Sequence, residues 1–266
     1  MPDFSPMTSK PMPLDQADGL RRLFGNSRQR VVPLAANPFV PGAGALLEVA
    51  ASALTLRGHQ VLVVDAAATA HAPRETALFD LAACVERLTP QIDYLAARGL
   101  PLAHVDTRGS AAGFLQAIAH AVPQADVVLL HADPSDLARL LAGRSARPVL
   151  LGAHRLDSIK QAYACCKLLA QRCGLFSFDL LLTSPADDRR SRRIVQSLAD
   201  CADGFLGAVC TQSLSLMGPK LQVLSQGHGA FQSYDSDTAF PSYEACKASL
   251  ADLVWLGLDP DGDPVR

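Results

Sequence analysis

The sequence predicts an α/β fold, a doubly wound and mainly parallel sheet with helices on both faces. Short apolar runs alternate with stretches of helical period from residue 31 onward. Several of those runs ("VLVVD", "DVVLLH", "PVLLG", "FDLLLT") are apolar throughout, as strands buried on both faces of a sheet must be. Strand–helix alternation of this kind favours parallel pairing with right-handed crossovers. At 49% apolar over 266 residues, the chain has ample material for such a core.

The order of elements follows from composition. Residues 1–13 hold four prolines and little that packs, and read as a flexible tether. "PLDQADGLRRLF" then sets Ala17, Leu20 and Phe24 on one helical stripe, with Asp15 as N-cap. Gly19 inside this 14–26 helix costs about 1 kcal/mol relative to alanine, so the helix needs a partner surface to order fully. The remainder, 27–266, reads as a single α/β domain. Strands are expected at 31–36, 60–65, 100–105, 126–131, 148–152, 178–183 and 204–210. Helices are expected at 44–57, 75–98, 110–121, 134–143, 156–173 and 187–202. Ligands in such folds bind at the carboxyl ends of strands, which singles out the loops 37–44, 65–74 and 131–136.

Charge and cysteine usage narrow the classes. A net charge of −2 exerts no global pull on nucleic acid or anionic membrane. No apolar run approaches a membrane span, and the first residues lack the apolar core of a secretory signal. The seven cysteines show no metal-ligand spacing and suit reduced thiols in the cytoplasm. Cys165, Cys166 and Cys173 share one helical pattern and read as core packing.

The segment "NPFVPGAGALLEVA" (37–50) occupies the place of a phosphate cradle, directly after the first apolar run. Such a cradle needs a lysine for phosphate charge and a Ser or Thr hydroxyl for magnesium, and this one has neither. "DQADGLRRL" (15–23) followed by "RVVPLAANPFVPGAGALLEVAASALTLRGHQVLVVDA" (30–66) resembles the MinD/ParA-type P-loop ATPases, and more narrowly their flagellar-number regulators of the FlhG/FleN type. The resemblance continues through "ADVVLLHADP" (125–134), "RLDSIKQAYACCKLL" (155–169) and "RRSRRIVQSLADCADGFLG" (189–207), so it spans residues 14–210. Its most specific part is the DQAxxLR element at Asp15, Gln16, Ala17, Leu20 and Arg21.

Laid without gaps on this chain, the family's signature lysine falls on Pro38. Its phosphate-contacting lysine falls on Ala43, beside Gly42, and its magnesium-binding hydroxyl on Gly44. Asp65 retains the first carboxylate of an Asp-x-Asp element; the second, which positions water in the family, is Ala67. A later strand-end aspartate falls on His131. Phosphoryl transfer depends on positioned positive charge and oriented water, and loss of one such group typically costs about 2.7–4 kcal/mol. The expectation is therefore a pseudo-ATPase with no cofactor, ATP and magnesium having been lost.

The resemblance implies a regulator of flagellar number and placement whose N-terminal helix binds and stimulates an SRP-type flagellar GTPase (FlhF-like), with Gln16 helping to orient water. Flagellar switch components or transcription regulators are further partners it implies, as is recruitment to the cell pole by a partner. A structural strap is the plain alternative for the 14–26 helix. The rival functions are a weak ATP-binding dimerisation switch and a DNA-partition factor resting on "DDRRSRR" (187–193), where Arg189, Arg192 and Arg193 read better as a solvated helix face. No nucleic-acid partner is expected. His131 reads as a structural histidine. The 243–258 stretch, with Leu250, Leu253, Val254 and Trp255 but one cation, Lys247, is expected to pack on the domain rather than on a membrane.

Overall fold

Nine strands form one sheet in the computed structural model, which describes residues 29–183, 188–217 and 220–226. They are β1 (Arg30–Ala35), β2 (Val61–Asp65), β3 (Glu86–Thr89), β4 (Ile92–Ala96), β5 (Val127–Ala132), β6 (Val149–Ala153), β7 (Ser177–Thr183), β8 (Val209–Met217) and β9 (Lys220–Gln226). Across the sheet the order is β3-β4-β2-β5-β1-β6-β7-β8-β9. All neighbours pair in parallel except β3 with β4 and β8 with β9, the antiparallel pairs that close the two edges. The tether, the 14–26 helix and the 243–258 stretch lie outside the described residues.

The connecting helices are α1 (Ala43–Thr55), the single turn α2 (Leu100–Ala103), α3 (Ala112–Ala121), α4 (Pro134–Leu140), α5 (Leu156–Cys173) and α6 (Asp188–Leu206). Residues alternate between the faces of each strand, so each buried strand feeds two cores. On one face Val128, Leu130, Leu180 and Leu182 meet Phe114 and Ile118 of α3, Leu137 and Leu140 of α4, Leu169 of α5 and Leu198 of α6. On the other, Val32, Leu34, Val63 and Leu129 meet Leu46, Leu47, Ala50 and Leu54 of α1. The Leu182 side chain of β7 fills the space beside Gly152 of β6: a Cβ there would sit 2.7 Å from Leu182 Cδ2. Cys165 and Cys166 are buried in the first core, and burial pushes their thiols up to about 12 and about 11. They are therefore packing groups and not thiolates. Among the described residues no helix is long and apolar enough to cross a membrane.

Three expectations fail, all near the sheet's periphery. The stretch 75–98 is not a helix. It holds two short 3₁₀ turns (Glu75–Leu78 and Ala82–Cys84) and then the β3–β4 hairpin. Pro90 explains this, since an interior proline costs a helix about 3 kcal/mol. The Thr89 hydroxyl closes the hairpin turn by accepting from the N–H groups of Gln91 and Ile92, at 3.3 and 3.0 Å. Residues 100–105 are not a strand either: Gly99 at φ 78° turns the chain and Pro101 starts the single turn α2. The expected strand 204–210 begins at Val209, because α6 runs on to Leu206.

Asp179 on β7 is wholly buried, with Arg147 Nε 3.0 Å from its Oδ2, close enough for charge attraction but misaligned for a hydrogen bond. Burial pushes its carboxyl up to about 6, against the opposing pull of Arg147 and of the Gln212 backbone. The folded carboxyl thus holds its proton more tightly than the unfolded one. Its contribution to stability is greatest below the unfolded value of 3.8 and is lost as pH rises through about 6. Asp179→Asn should gain relative to wild type by about 3 kcal/mol between pH 4 and pH 7, measured by urea unfolding across that range. A difference independent of pH would rule out this titration.

Candidate functional site

β1 delivers Asn37 to the carboxyl edge of the sheet, where its side chain is 5% exposed. The amide Nδ2 donates to the backbone oxygens of Leu151 (2.8 Å) and Ser158 (2.9 Å) and lies 3.0 Å from Ser158 Oγ. Its Oδ1 accepts from Phe39 N–H at 3.1 Å, and its backbone oxygen accepts from Val40 N–H at 3.0 Å. Ser158 Oγ in turn accepts from Ala153 N–H at 2.9 Å. One residue therefore ties the 37–44 loop to the end of β6 and the first turn of α5.

This sets what the loop can offer a ligand. Pro38 and Pro41 have no N–H, and the N–H groups of Phe39 and Val40 are engaged by Asn37. No backbone donor remains between 38 and 41. Val40 is buried with Leu46 and Leu47 in the α1-side core, which draws the loop down onto its own helix, while Pro38 and Phe39 are exposed. Gly42 adopts φ 74°, a left-handed turn that favours glycine, and α1 begins at Ala43 with no side-chain cap. Gly44 lies exposed in that first turn. These residues include no lysine and no side-chain hydroxyl for a nucleotide's phosphates and magnesium, and the N–H groups left to the segment are those of the first turn of α1.

The structure brings Asp65 and His131 together. They face each other in the β2–β5 register, and His131 Nδ1 lies 2.8 Å from Asp65 Oδ1. His131 is 2% exposed and its Nε2 has no hydrogen-bond partner, so only one of its two ring nitrogens is satisfied. The second Asp65 contact is Ala67 N–H at 3.4 Å, and Ala67 itself is buried. Ala66 N–H donates to the His131 backbone oxygen at 2.7 Å, and Ala68 N–H to Asp133 Oδ2 at 3.0 Å. The 65–74 and 131–136 loops are thus laced to each other, whereas the 37–44 loop is tied to β6 and α5. Tyr94 on β4 has its hydroxyl pushed up, first by burial and then by the charges of Asp65 and Glu86.

Asn37, Ser158 and Asp133 are the residues that sequence reasoning missed. Each sits one to five residues beyond an apolar strand, the position from which a polar side chain reaches across strand ends. His154 and Ser191 form another such tie, 2.7 Å apart. Ser191 is 1% exposed, so its hydroxyl is closed to a substrate. Arg189, Arg192 and Arg193 are exposed on α6. Asp15, Gln16, Ala17, Leu20 and Arg21 lie outside the described residues. Among the described residues no cluster of His, Cys, Asp and Glu could hold a metal ion.

No protein-family model and no curated protein matches the sequence. Solved structures do match in fold. A candidate plasmid partition protein from Borrelia burgdorferi B31, solved with AMPPNP, is similar at a TM-score of 0.56 and 10% identity, over 86% of this chain and 98% of that one. The MinC:MinD cell division protein complex of Aquifex aeolicus gives 0.49 and 13%, over 70% and 81%. A ParA family ATPase from Chlorobium tepidum TLS gives 0.46 and 13%, over 72% and 86%. The Borrelia protein thus shares the mainly parallel α/β fold of this chain.

The Asn37 hub makes a measurable prediction. Asn37→Ala removes one amide and leaves the Leu151 oxygen and the Phe39 N–H without their partner, which should lower stability by on the order of 2–3 kcal/mol in urea unfolding. Asn37→Asp should cost more, because a carboxylate oxygen would then face two carbonyl oxygens. Equal stability of all three proteins would show that the hub does not hold the loop.

Proposed function

We propose that this chain is a regulatory binding protein on a MinD/ParA-type scaffold, with a nucleotide loop that no longer turns over ATP and an N-terminal DQAxxLR helix that engages an SRP-type flagellar GTPase. The observation that carries the reading is the pairing of those two features in one sequence. A specific partner-binding element (Asp15, Gln16, Ala17, Leu20, Arg21) stands before a loop without lysine, hydroxyl or free N–H groups at 38–41. In this reading Gln16 orients water in the partner's site, as glutamine does in other GTPases. Asp15 and Ala17 shape the helix, and Leu20 and Arg21 anchor it. The biological role is control of flagellar number and placement.

A weak nucleotide-binding switch is the second reading. It is favoured by the first-turn N–H groups of α1, which have no intrahelical acceptor, and by the AMPPNP bound to the Borrelia protein. Thermal unfolding separates the two. A ligand at 100 times its dissociation constant stabilises a fold by about 2.7 kcal/mol. Millimolar Mg-ATP should leave the midpoint of this protein unchanged and release no phosphate; a clear rise would favour the switch.

The partner assignment is tested with a peptide spanning residues 1–26. It should accelerate GTP hydrolysis by the flagellar GTPase without the rest of the chain. Gln16→Ala should lose acceleration while keeping binding, whereas Leu20→Asp should lose binding by placing a charge on the stripe to be buried. If neither peptide nor full chain binds the GTPase, the helix is a strap and the partner assignment fails.

A further inference from the structure

Helices α4 and α5 border a surface cleft of about 280 Å³, flanked on a third side by Gly109 from the loop ahead of α3. Ser135, Arg139 and Ala142 follow one another at helical spacing along α4 and just past its end. Leu168 and Arg172 line it from α5, one turn apart. Two ties hold these walls together. The Cys173 thiol donates to the Ala138 backbone oxygen at 3.3 Å, and Ala111 N–H donates to the Arg139 oxygen at 3.0 Å. At Gly109, which takes φ 80°, an added Cβ would meet nothing within 4 Å, so the space beside it is open.

Several donors on the walls have no acceptor. Arg139 Nη1 donates to Asp136 Oδ1 at 2.9 Å and to the Ser135 backbone oxygen at 3.3 Å, which holds the guanidinium in place. Its Nε and Nη2 make no hydrogen bond among the described residues, and neither do the Ser135 hydroxyl and the Arg172 guanidinium. No acidic residue lines the cleft. Asp136, outside the lining, answers the charge of Arg139 and leaves that of Arg172 unbalanced. Each arginine stands in the last turn of its helix, where the dipole favours a cation. The dipole accounts for a positive charge at each helix end, but not for two guanidinium groups lining one cavity.

We propose that this cleft binds a small organic anion. Its phosphate or carboxylate accepts from Arg139 and Arg172, whose planar forks match paired oxygens, and the Ser135 hydroxyl is a further donor. Its apolar part lies on Ala138, Ala142 and Leu168. The volume falls just under the range of about 300–1,000 Å³ for pockets of drug-sized ligands, which limits the occupant to a smaller molecule. The cleft shares no residue with the 37–44 loop.

Phenyl phosphate and benzoate probe the cleft in the full-length chain, by calorimetric titration at low ionic strength, where exposed charges are least screened. At least one of them should bind saturably, at one site per chain, and neutral phenol should not. Tighter binding of phenyl phosphate assigns a phosphate ester, and tighter binding of benzoate a carboxylic acid. Arg172→Gln should weaken binding roughly tenfold or more, with Arg172→Lys in between because it keeps the charge and loses the fork. Ala142→Phe should block the cleft without changing its charge. Arg98→Gln, which removes an arginine beyond the end of β4, should bind as wild type does. Arg98, Ala142 and Arg172 are all exposed, so these changes leave both cores intact. Absence of saturable binding by either anion would overturn the inference. So would equal binding of phenol, an affinity that Arg172→Gln or Ala142→Phe leaves unchanged, or an equal loss in Arg98→Gln. None of these outcomes depends on whether the GTPase is the partner.

Discussion

The amide of Asn37 is the constraint on which the carboxyl edge of the sheet depends. Parallel strands end in exposed loops, and nothing in strand pairing fixes how those loops lie. Here one buried side chain contacts four groups on three elements, reaching the end of β6, the first turn of α5 and its own loop. Buried polar groups are stable only when all their hydrogen bonds are made, and that requirement gives the 37–44 loop a single conformation. The same bonds determine what the loop lacks. A phosphate cradle presents several N–H groups with no protein acceptor, converging on one point. Asn37 takes two of them, and prolines remove two more.

Asp65 and His131 show a comparable closure one strand pair away. A carboxylate at a strand end would ordinarily face water, a metal or a ligand. Here it meets an imidazole across the β2–β5 register. Ala67 is the residue two beyond Asp65, so this group holds a hydrogen-bond partner for Asp65 and no second acid. The Nε2 of His131 has no hydrogen-bond partner and is buried.

The strands that are buried on both faces were legible from composition alone. Every run apolar throughout became β2, β5, β6 or β7, and the expected helix 156–173 coincides with α5. What failed was peripheral. In "LFDLAACVERLTPQIDYLAARG" a helical spacing of apolar residues masked an edge hairpin, although Pro90 in its middle argued against an uninterrupted helix. β8 reads "CTQSLSLM", polar and apolar residues interleaved, which is a weaker signal than a fully apolar run. In the site, the loops that carry residues 38, 43, 44, 65, 67 and 131 could be picked out by their place after apolar strands. The Asn37 and Asp133 ties were not. Their partners lie 65 to 121 residues away, and no local pattern encodes a hydrogen bond across strand ends.

The fold and the loops at the carboxyl edge of the sheet depend on different atoms. The apolar strands and the Leu46–Leu54 face of α1 supply the burial that holds the layers, and none of those atoms would touch a nucleotide. Val40 adds to that burial from within the loop. A working cradle keeps donors unsatisfied until a ligand arrives, at a cost of about 1–3 kcal/mol for each buried polar group left unpaired. A loop that engages its own donors and buries its own valine avoids that cost, so the scaffold is more self-sufficient without the ligand than with an empty site. Binding work is then better placed on segments outside the sheet, where side chains can be exchanged without disturbing either core.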